Sequence, residues 1–315
     1  MKKVIVTGST GFIGSWFVQE LLKHKILVTL IVREKGKLLP EFKNDPCVNV
    51  IEGEINLSII DKIRDKNFDA FVHMAWSGVS PEEKNDFEFQ LANISLSLSA
   101  IELAKKLGSK KFVVTGTVAE HVFCDNVMDV YAQQSPNDMY GAAKVSTYYF
   151  LKVRARQLKI PLIWTIVPST FGPRRVDNNI ITYTILNLLQ RKKPLYGELT
   201  QMWDFLYVGE VVRAIRLVCE FGKGGKVYGI GSGKYRPLKT YIEEIRDIID
   251  KTLVLGIGEK SEMTKQSFSS CVDIHELTVD TGFIPQVSFE EGIRMTIEYF
   301  GKQFITKNIM GGAGM

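Results

Sequence analysis

Two residues with complementary chemistry, Tyr140 and Lys144, lie four positions apart in a segment whose pattern predicts a helix over residues 140–158. Side chains at this spacing share one helix face. An ammonium group beside a phenol favours the phenolate, so this tyrosine could transfer a proton near neutral pH, which a phenol with an ordinary pKa of about 10 does poorly. Thr117 follows a predicted strand over residues 111–115 and could hold the oxygen of a reacting substrate. Together the three side chains predict an acid–base site.

A glycine motif at the start of the chain predicts a nucleotide-binding turn. An apolar strand over residues 4–6 leads to Gly8, and Gly11 and Gly14 follow in G-x-x-G-x-x-G spacing at the start of an amphipathic segment over residues 12–25. Glycines permit a tight turn, close approach to a pyrophosphate and close helix–strand packing, while the helix N-terminus presents free N–H groups. We therefore predict a dinucleotide cofactor. Its expected contacts in this turn are Gly8, Thr10, Gly11, Phe12, Ile13 and Gly14.

Apolar runs rich in β-branched residues alternate with helical patterns through the first half of the chain. Strands are predicted over residues 26–32, 48–51, 70–74, 111–115 and 162–167, with helices over 59–64, 82–107 and 140–158. Continuous apolar strands separated by helices are typical of a parallel sheet covered on both faces. The sequence predicts an α/β fold with a Rossmann-type doubly wound parallel sheet.

The pattern changes after Gly172-Pro173, where the predicted elements become shorter and the loops longer and richer in turns. Helices are predicted over residues 180–191, 211–221, 238–249 and 289–300, and short strands over 204–208, 226–230 and 252–256. We interpret this half as a smaller, discontinuous C-terminal substrate lobe at the carboxyl edge of the sheet, where α/β folds bind ligands. The dinucleotide-binding domain is expected to comprise residues 1–172 and to be rejoined by about 203–230. The lobe would comprise 173–202 and 231–304, and residues 305–315 would form a disordered tail.

The residue that ends the second strand distinguishes two cofactors. A carboxylate there binds the ribose hydroxyls of NAD, whereas an arginine accommodates the 2′-phosphate of NADP. Here Val32 is followed by Arg33, whose planar guanidinium can bind a phosphate through two hydrogen bonds. We predict NADP(H) in preference, with NAD(H) as the alternative. Glu54 and Ile55, after the third strand, are further candidate contacts, and Glu54 could accept a hydrogen bond from the adenine amino group.

The composition argues against several classes of protein. Of 315 residues, 45% are hydrophobic and 24% charged, with a net charge of +5. The basic residues are scattered, so we expect no nucleic-acid partner. The four cysteines form no C-x-x-C pair, which argues against a metal site or a disulfide framework and fits a reducing cytosol. The N-terminal apolar run is too short for a signal peptide, and no run approaches the ~20 residues of a membrane span, so we expect a cytoplasmic protein without a membrane partner.

These motifs together carry a resemblance that covers residues 1 to about 304. The chain resembles an extended short-chain dehydrogenase/reductase, in the branch of nucleotide-sugar epimerases, dehydratases and 4-ketoreductases. The segments that carry it are Gly8, Gly11 and Gly14, His73-Met74-Ala75, Asn93, Thr115-Gly116-Thr117, Tyr140 with Lys144, Phe171-Gly172-Pro173, Trp203-Asp204-Phe205-Leu206-Tyr207-Val208 and Thr281-Gly282-Phe283-Ile284-Pro285.

The resemblance implies a role for each catalytic candidate. Tyr140 would be the acid/base, Lys144 would hold the nicotinamide ribose and lower the pKa of the phenol, and Thr117 would hydrogen-bond the reacting oxygen. It also implies a nucleotide-sugar substrate and a homodimer formed through the helices over 82–107 and 140–158. The further implied contacts are Ala75, Thr115 and Pro168 to the cofactor, and Arg174 and Asn179 to the substrate.

Three departures from the family pattern bear on the reaction. Trp203 stands where many relatives carry an arginine that binds the phosphates or base of the substrate, which puts the nucleotide contact in doubt. Glu120-His121-Val122 replaces the usual V-Y-G, and His121 is either a polar contact in the pocket or a loop histidine. Val118-Ala119 follows Thr117 where many dehydratases have an acidic pair, which disfavours 4,6-dehydration.

The sequence is therefore compatible with four functions. The favoured one is NADP(H)-dependent reduction of a keto group, at C4 of a nucleotide-activated sugar. A 4-epimerase with bound NAD uses the same residues, and reduction of a non-nucleotide ketone would follow from a second likeness, to the dihydroflavonol-reductase branch. A non-catalytic NADP(H)-sensing protein is the alternative from another class, although such proteins usually lack the tyrosine or the lysine, and both are present here.

Overall fold

The computed structural model describes residues 1–121, 130–131, 133–175, 177, 179–260 and 271–311. The strands are β1 Lys3–Thr7, β2 Leu27–Val32, β3 Val48–Glu52, β4 Ala70–His73, β5 Phe112–Thr117, β6 Leu162–Val167, β7 Ser169–Phe171, β8 Leu195–Tyr196, β9 Met202–Trp203, β10 Phe205–Tyr207, β11 Val227–Gly229, β12 Arg236–Pro237 and β13 Gly256–Ile257. The helices are α1 Phe12–Lys23, α2 Pro40–Lys43, α3 Phe87–Lys106, α4 Met139–Leu158, α5 Ile180–Leu189, α6 Val208–Phe221, α7 Leu238–Ile249, α8 His275–Thr281 and α9 Phe289–Gly311.

A seven-stranded parallel sheet forms the centre of the molecule. Its strand order is β3-β2-β1-β4-β5-β6-β11. The order reverses at β1, so the carboxyl ends of β1, β4 and β5 meet at the position where such sheets bind ligands. The predicted fold class, a Rossmann-type doubly wound sheet, is confirmed.

The alternation of side chains along β1 shows how both faces of the sheet are covered. Val4 and Val6 pack towards α1 and α6, whereas Ile5 belongs to the cluster that contains α3 and α4. All three residues are fully buried. Because successive side chains point to opposite faces, an apolar strand without polar alternation requires helices on both sides.

A third apolar cluster lies beyond the main sheet, and it is rich in aromatic residues from the second half of the chain. Its helices are α5, α7 and α9, and its rings include Phe171, Phe205, Tyr241 and Phe289. Two-stranded pairs support it, with β7 beside β10, β9 beside β12 and β8 beside β13. This cluster is a third apolar core, built mainly from the second half of the chain.

Several predicted elements differ from those observed. The helix expected from residue 82 begins at Phe87, because the Asp86 side chain accepts hydrogen bonds from the N–H groups of Glu88 and Phe89 and caps the helix there. The helix expected over 59–64 is a 3₁₀ helix over Leu57–Lys62. The strand expected over 252–256 is the two-residue β13.

The end of the chain also departs from expectation. Helix α8 was not predicted, since its seven residues are too few for a clear apolar period. Helix α9 continues through Gly311, within the tail that was expected to be disordered from residue 305. No proline interrupts this segment, so nothing in its chemistry stops the helix at residue 304. Among the described residues, no helix combines the length and the apolar character needed to cross a bilayer.

Candidate active site

The turn between β1 and α1 can be built only with glycines at two positions. Gly8 has a φ of +81°, and a Cβ there would lie 2.6 Å from the backbone N of Ala75. A Cβ on Gly14 would overlap the carbonyl oxygen of Gly8. The missing side chains let β1, α1 and the loop after β4 come together, as the glycine spacing predicts.

The free end of α1 faces a cavity of about 190 Å³. Gly11 caps the helix without a side-chain hydrogen bond, so the first N–H groups of α1 are available to a ligand. The Ser9 hydroxyl in the same turn is buried and has no hydrogen-bond partner in the part of the chain that the structure describes. A dinucleotide pyrophosphate fits this donor set. The cavity is lined by Gly8, Thr10, Gly11, Ile31, Val32, Arg33, Gly53, Glu54, Ile55, Met74, Ala75, Trp76, Ser77 and Leu96.

Most of the predicted cofactor contacts therefore meet at one place. Arg33 directly follows β2, is exposed and lies at the rim, and it has no acidic partner among the described residues. Glu54 and Ile55, after β3, line the same cavity, as does Ala75 after β4. Phe12 and Ile13 instead pack partly against the third apolar cluster.

A buried polar network fixes the loop after β4. The His73 Nδ1 pairs with the Thr7 hydroxyl at 2.8 Å, and its Nε2 pairs with the Ser97 hydroxyl at 3.0 Å. Asn93 accepts from the Ser77 N–H at 2.9 Å and donates to the Ser77 carbonyl at 2.8 Å. Burial lowers the pKa of His73 to about 3, so the imidazole is neutral. His73 and Asn93, two of the family-like residues, thus have a structural role in placing Ala75.

The catalytic candidates meet where β5 ends and α4 begins. Asp138 caps α4 by accepting from the Gly141 N–H at 2.7 Å, which sets the first turn that carries Tyr140. Lys144, one turn further on, is 4% exposed and its Nζ donates to the Thr115 carbonyl at 2.8 Å. The Thr117 side chain lies beside the Tyr140 phenol, where it opposes the effect of burial on the pKa of the phenol. The structure brings together Thr115, Thr117, Tyr140 and Lys144 as predicted.

The electrostatics of this group show which species are present without ligands. Burial raises the pKa of Tyr140 to about 12, so the phenol is protonated at neutral pH. Burial also lowers the pKa of Lys144, and the negative charge of Glu120 opposes this effect. The resting site therefore presents a proton donor beside a lysine whose charge depends on its surroundings.

Three residues of this site have contacts that sequence reasoning missed. The ring of Trp76 lies 3.7 Å from the Lys144 Nζ and edge-on to Tyr140, with a centroid separation of 6.0 Å. Glu120 is fully buried beneath Thr117. Gly141 lets α4 approach the Ala119 carbonyl oxygen, which a Cβ would overlap. The spacing of Thr117 and Glu120 was a signal in the sequence, because Thr-x-x-Glu is typical of a capping box. The ring contacts of Trp76 and the bond from Trp164 to Glu120 join segments that are distant in sequence.

The predicted substrate residues are engaged by the protein itself. Arg174 donates to Gln19 at 2.8 Å, and its guanidinium lies 4.7 Å from the Trp16 ring centroid. Asn179 caps α5 by accepting from the N–H groups of Ile181 and Thr182.

Two further positions complete the description of the site. Pro168 follows Val167, the register partner of Thr117 on the neighbouring strand, and so lies at the catalytic edge of the sheet. Trp203, which replaces an arginine of many relatives, pairs with Arg236 across β9 and β12. In the described part of the chain, no group of three histidine, cysteine, aspartate or glutamate residues could hold a metal ion.

Comparison with known proteins agrees with this geometry. Residues 4–231, which include the glycine turn and the catalytic group, match the model of the NAD dependent epimerase/dehydratase family. The chain belongs to this family. The resemblance to extended short-chain dehydrogenases/reductases is thereby confirmed, and with it the prediction that the protein is an enzyme using a nicotinamide dinucleotide.

Individual relatives cover almost the whole chain. The dTDP-D-glucose 4,6-dehydratase of Mus musculus is 26% identical over 96% of this chain and 90% of its own length. The dTDP-glucose 4,6-dehydratase of Escherichia coli is 26% identical over 95% of this chain and 93% of its own. Among solved structures, the UDP-N-acetylglucosamine 4-epimerase of Methanobrevibacter ruminantium, in complex with UDP-N-acetylmuramic acid, superposes with a TM-score of 0.85 at 25% identity and covers 96% and 99% of the two chains.

Proposed function

We propose that this member of the family reduces a keto group, at C4 of a nucleotide-activated sugar, with NADP(H) as the preferred cofactor. The cofactor choice rests on Arg33, which lies at the rim of the cavity where β2 ends without a carboxylate and has no acidic partner in the described part of the chain. An exchangeable NADPH suits net reduction, because each turnover consumes the reduced cofactor. The relatives named above act on nucleotide sugars, which supports this substrate class.

The residues of the site can carry such a reduction. When bound, NADPH supplies the hydride to the carbonyl carbon. Tyr140, protonated at rest, donates its proton to the developing alkoxide oxygen, and Thr117 holds that oxygen by a hydrogen bond. Lys144 holds the cofactor ribose and, when charged, stabilises the phenolate that remains. Trp76 forms one wall beside these groups.

Two related reactions are less well supported. The dehydratase relatives suggest 4,6-dehydration, but the two residues after Thr117 are Val118 and Ala119, which have no acid–base group to eliminate water. A 4-epimerase is the second candidate. It is favoured by the family's dependence on NAD and by the structural likeness to a UDP-sugar 4-epimerase.

One experiment separates these functions. Purified protein would be denatured and its bound nucleotide identified by mass. The stripped protein would be incubated with NADPH or NADH and a panel of UDP- and dTDP-linked 4-keto sugars, and the protein as purified with the corresponding sugars that carry a C4 hydroxyl. We expect stoichiometric NADPH oxidation that is lost in Tyr140→Phe. Retained NAD, with interconversion of C4 epimers and no net oxidation, would establish the epimerase instead. Cofactor binding without turnover of any sugar would refute both.

We further propose a homodimer formed through α3 and α4. Their outer faces expose large apolar side chains, with Leu91 59%, Tyr149 54% and Phe150 56% exposed. A patch of this kind is typical of a protein interface. Pairing of the two helices with their copies would give a four-helix bundle.

A further inference from the structure

Glu120 is a buried carboxylate beside the catalytic threonine, and the proposed reaction gives it no task. Its Oε1 accepts from the Thr117 N–H at 2.8 Å, and the Trp164 indole N–H donates to both carboxylate oxygens at 3.2 Å. The side chain is fully buried. Burying a carboxylate is costly unless hydrogen bonds and an opposite charge compensate for the lost hydration. Two N–H donors supply the hydrogen bonds, and an opposite charge is the other contribution that this carboxylate requires.

The Lys144 ammonium is a positive charge whose field acts on this carboxylate, although the two groups form no direct ion pair. The lysine donates to the carbonyl of Thr115, and Glu120 accepts from the amide of Thr117, so the two side chains are tied to one three-residue strand end. Each acts on the other electrostatically. Burial raises the pKa of Glu120 and lowers that of Lys144, and the attraction between the two charges opposes both shifts.

Of the other titratable groups near this pair, three are neutral or already matched, whereas Lys152 lines the same cavity as Glu120 and has its Nζ 5.3 Å from the Tyr148 ring centroid. His73, on β4, is buried and neutral. Asp138, at the start of α4, pairs with Lys84 at 3.0 Å. The Tyr140 phenol is protonated. The carboxylate of Glu120 is therefore the charge best placed to control the lysine.

We propose that Glu120 is a positioning residue that fixes Thr117 for the substrate oxygen and keeps Lys144 charged beside Tyr140. The two tasks use different properties of the side chain. Fixing Thr117 requires the length that brings Oε1 to its N–H, whereas keeping the lysine charged requires the negative charge. The inference rests on the proposed function in taking Thr117, Tyr140 and Lys144 as the reacting group, and it holds for reduction and for epimerisation.

The charge is tested by Glu120→Gln, whose amide oxygen can still accept from the Thr117 N–H. NADPH affinity is measured by fluorescence between pH 6 and 10, which needs no substrate. Without the carboxylate the lysine loses its proton at lower pH, so the alkaline loss of affinity should move down by about one pH unit. Burial raises the pKa of Tyr140 to about 12, above this range, so the phenol does not contribute to the alkaline change. An unchanged pH profile would overturn the charge role.

The length is tested separately by Glu120→Asp. This variant keeps the charge but is one methylene too short to reach the Thr117 N–H, so we expect kcat to fall about tenfold while the alkaline change in NADPH affinity stays in place. If kcat were unaffected, the anchoring role would be wrong. Either variant alone tests one half of the inference, so failure of one to fold leaves the other informative.

The structure offers a matched control at the start of α9. Glu291 accepts from the Ser288 N–H at 2.8 Å and its own N–H donates to the Ser288 hydroxyl, the same local arrangement far from the site. Glu291→Gln should leave the pH dependence of NADPH affinity and the kcat unchanged. Tyr140→Phe, assayed in parallel with a dTDP-linked 4-keto sugar, keeps the two hypotheses apart. If it retains turnover, the proposed function is wrong; if it is inactive and the Glu120 variants behave as wild type, only the present inference fails.

Discussion

The Lys144 ammonium lies 3.7 Å from the centroid of the Trp76 ring. The negative face of an indole attracts a cation by about 0.5–2 kcal/mol, which favours the charged form of the lysine. We expect Trp76→Leu to move the alkaline loss of NADPH affinity to lower pH by about half a unit to one unit. Trp76→Phe keeps an aromatic face and should move it by less. Equal shifts in both variants would show that the ring face has no influence on the lysine.

Gly141 permits the contact between α4 and the turn after β5. A Cβ at this position would overlap the carbonyl oxygen of Ala119, so Gly141→Ala should displace Tyr140 from Thr117 and lower kcat at least about tenfold, since small misplacements of reacting groups are costly. Gly301→Ala in α9 is the control, because nothing lies within 4 Å of its added Cβ. That substitution should raise stability by up to about 1 kcal/mol through helix propensity. Steady-state kinetics and urea unfolding of both variants provide the test.

We expect Arg33 to decide the choice between the two cofactors. Replacing it by serine removes charged hydrogen bonds to a 2′-phosphate, so the Kd for NADPH should rise about 10- to 100-fold while that for NADH changes little. Lys37→Ser, nearby but paired with Glu34 at 2.9 Å, is the control and should alter neither Kd strongly. Fluorescence titrations with both cofactors measure the result. Equal weakening for the two would mean that the arginine does not distinguish them.

Acid should destabilise the protein partly through His73. Its pKa of about 3 in the folded state lies below the ordinary value of 6.5, so the unfolded chain takes up a proton that the folded chain excludes. This contribution to stability is complete above pH 6.5 and is lost at up to about 1.4 kcal/mol per pH unit as the pH falls towards 3. Urea unfolding of wild type and His73→Gln at pH 7, 6 and 5 would measure it. The variant should be less stable at pH 7 and have the shallower pH dependence.

The exposed face of α4 gives a test of the proposed homodimer. Phe150→Glu would place charges in the apolar interface and should convert the protein to a monomer in analytical ultracentrifugation, without changing the thermal unfolding of the monomer by more than a few degrees. Lys152→Glu, two residues further along the same helix, controls for the effect of charge alone. A wild-type protein that is monomeric at micromolar concentration would contradict the proposal.

Local patterns in the sequence were sufficient to predict the sheet, the glycine turn and the Tyr140–Lys144 pair. In each case the information lies within a few residues, as the spacing of Gly8 and Gly14 illustrates. Contacts between distant segments could not be obtained in this way. Nothing near Glu120 in sequence identifies Lys144 as its counter-charge, because the helix that brings them together starts almost twenty residues later.

The second half of the chain was harder to predict for a related reason. Asn179 has the polarity of a ligand contact, but its side-chain oxygen caps α5 by accepting from two backbone N–H groups. A single sequence cannot tell a polar side chain that binds a ligand from one that satisfies a helix end, since both need the same hydrogen-bonding atoms. The short strands β8, β9, β12 and β13 have too few residues for any period to be visible.

The last strand of the central sheet has a consequence for synthesis of the protein. Val227, Tyr228 and Gly229 pair with Trp164, Thr165 and Ile166, so the edge of β6 is covered only by residues made some sixty positions later. While the ribosome is translating the intervening segment, that edge presents unpaired backbone groups to any other nascent chain. The seventh strand can be added to the sheet only after residue 229 has left the exit tunnel. A gene fragment that stops before residue 229 would therefore yield an incomplete, aggregation-prone product instead of an independent cofactor-binding domain.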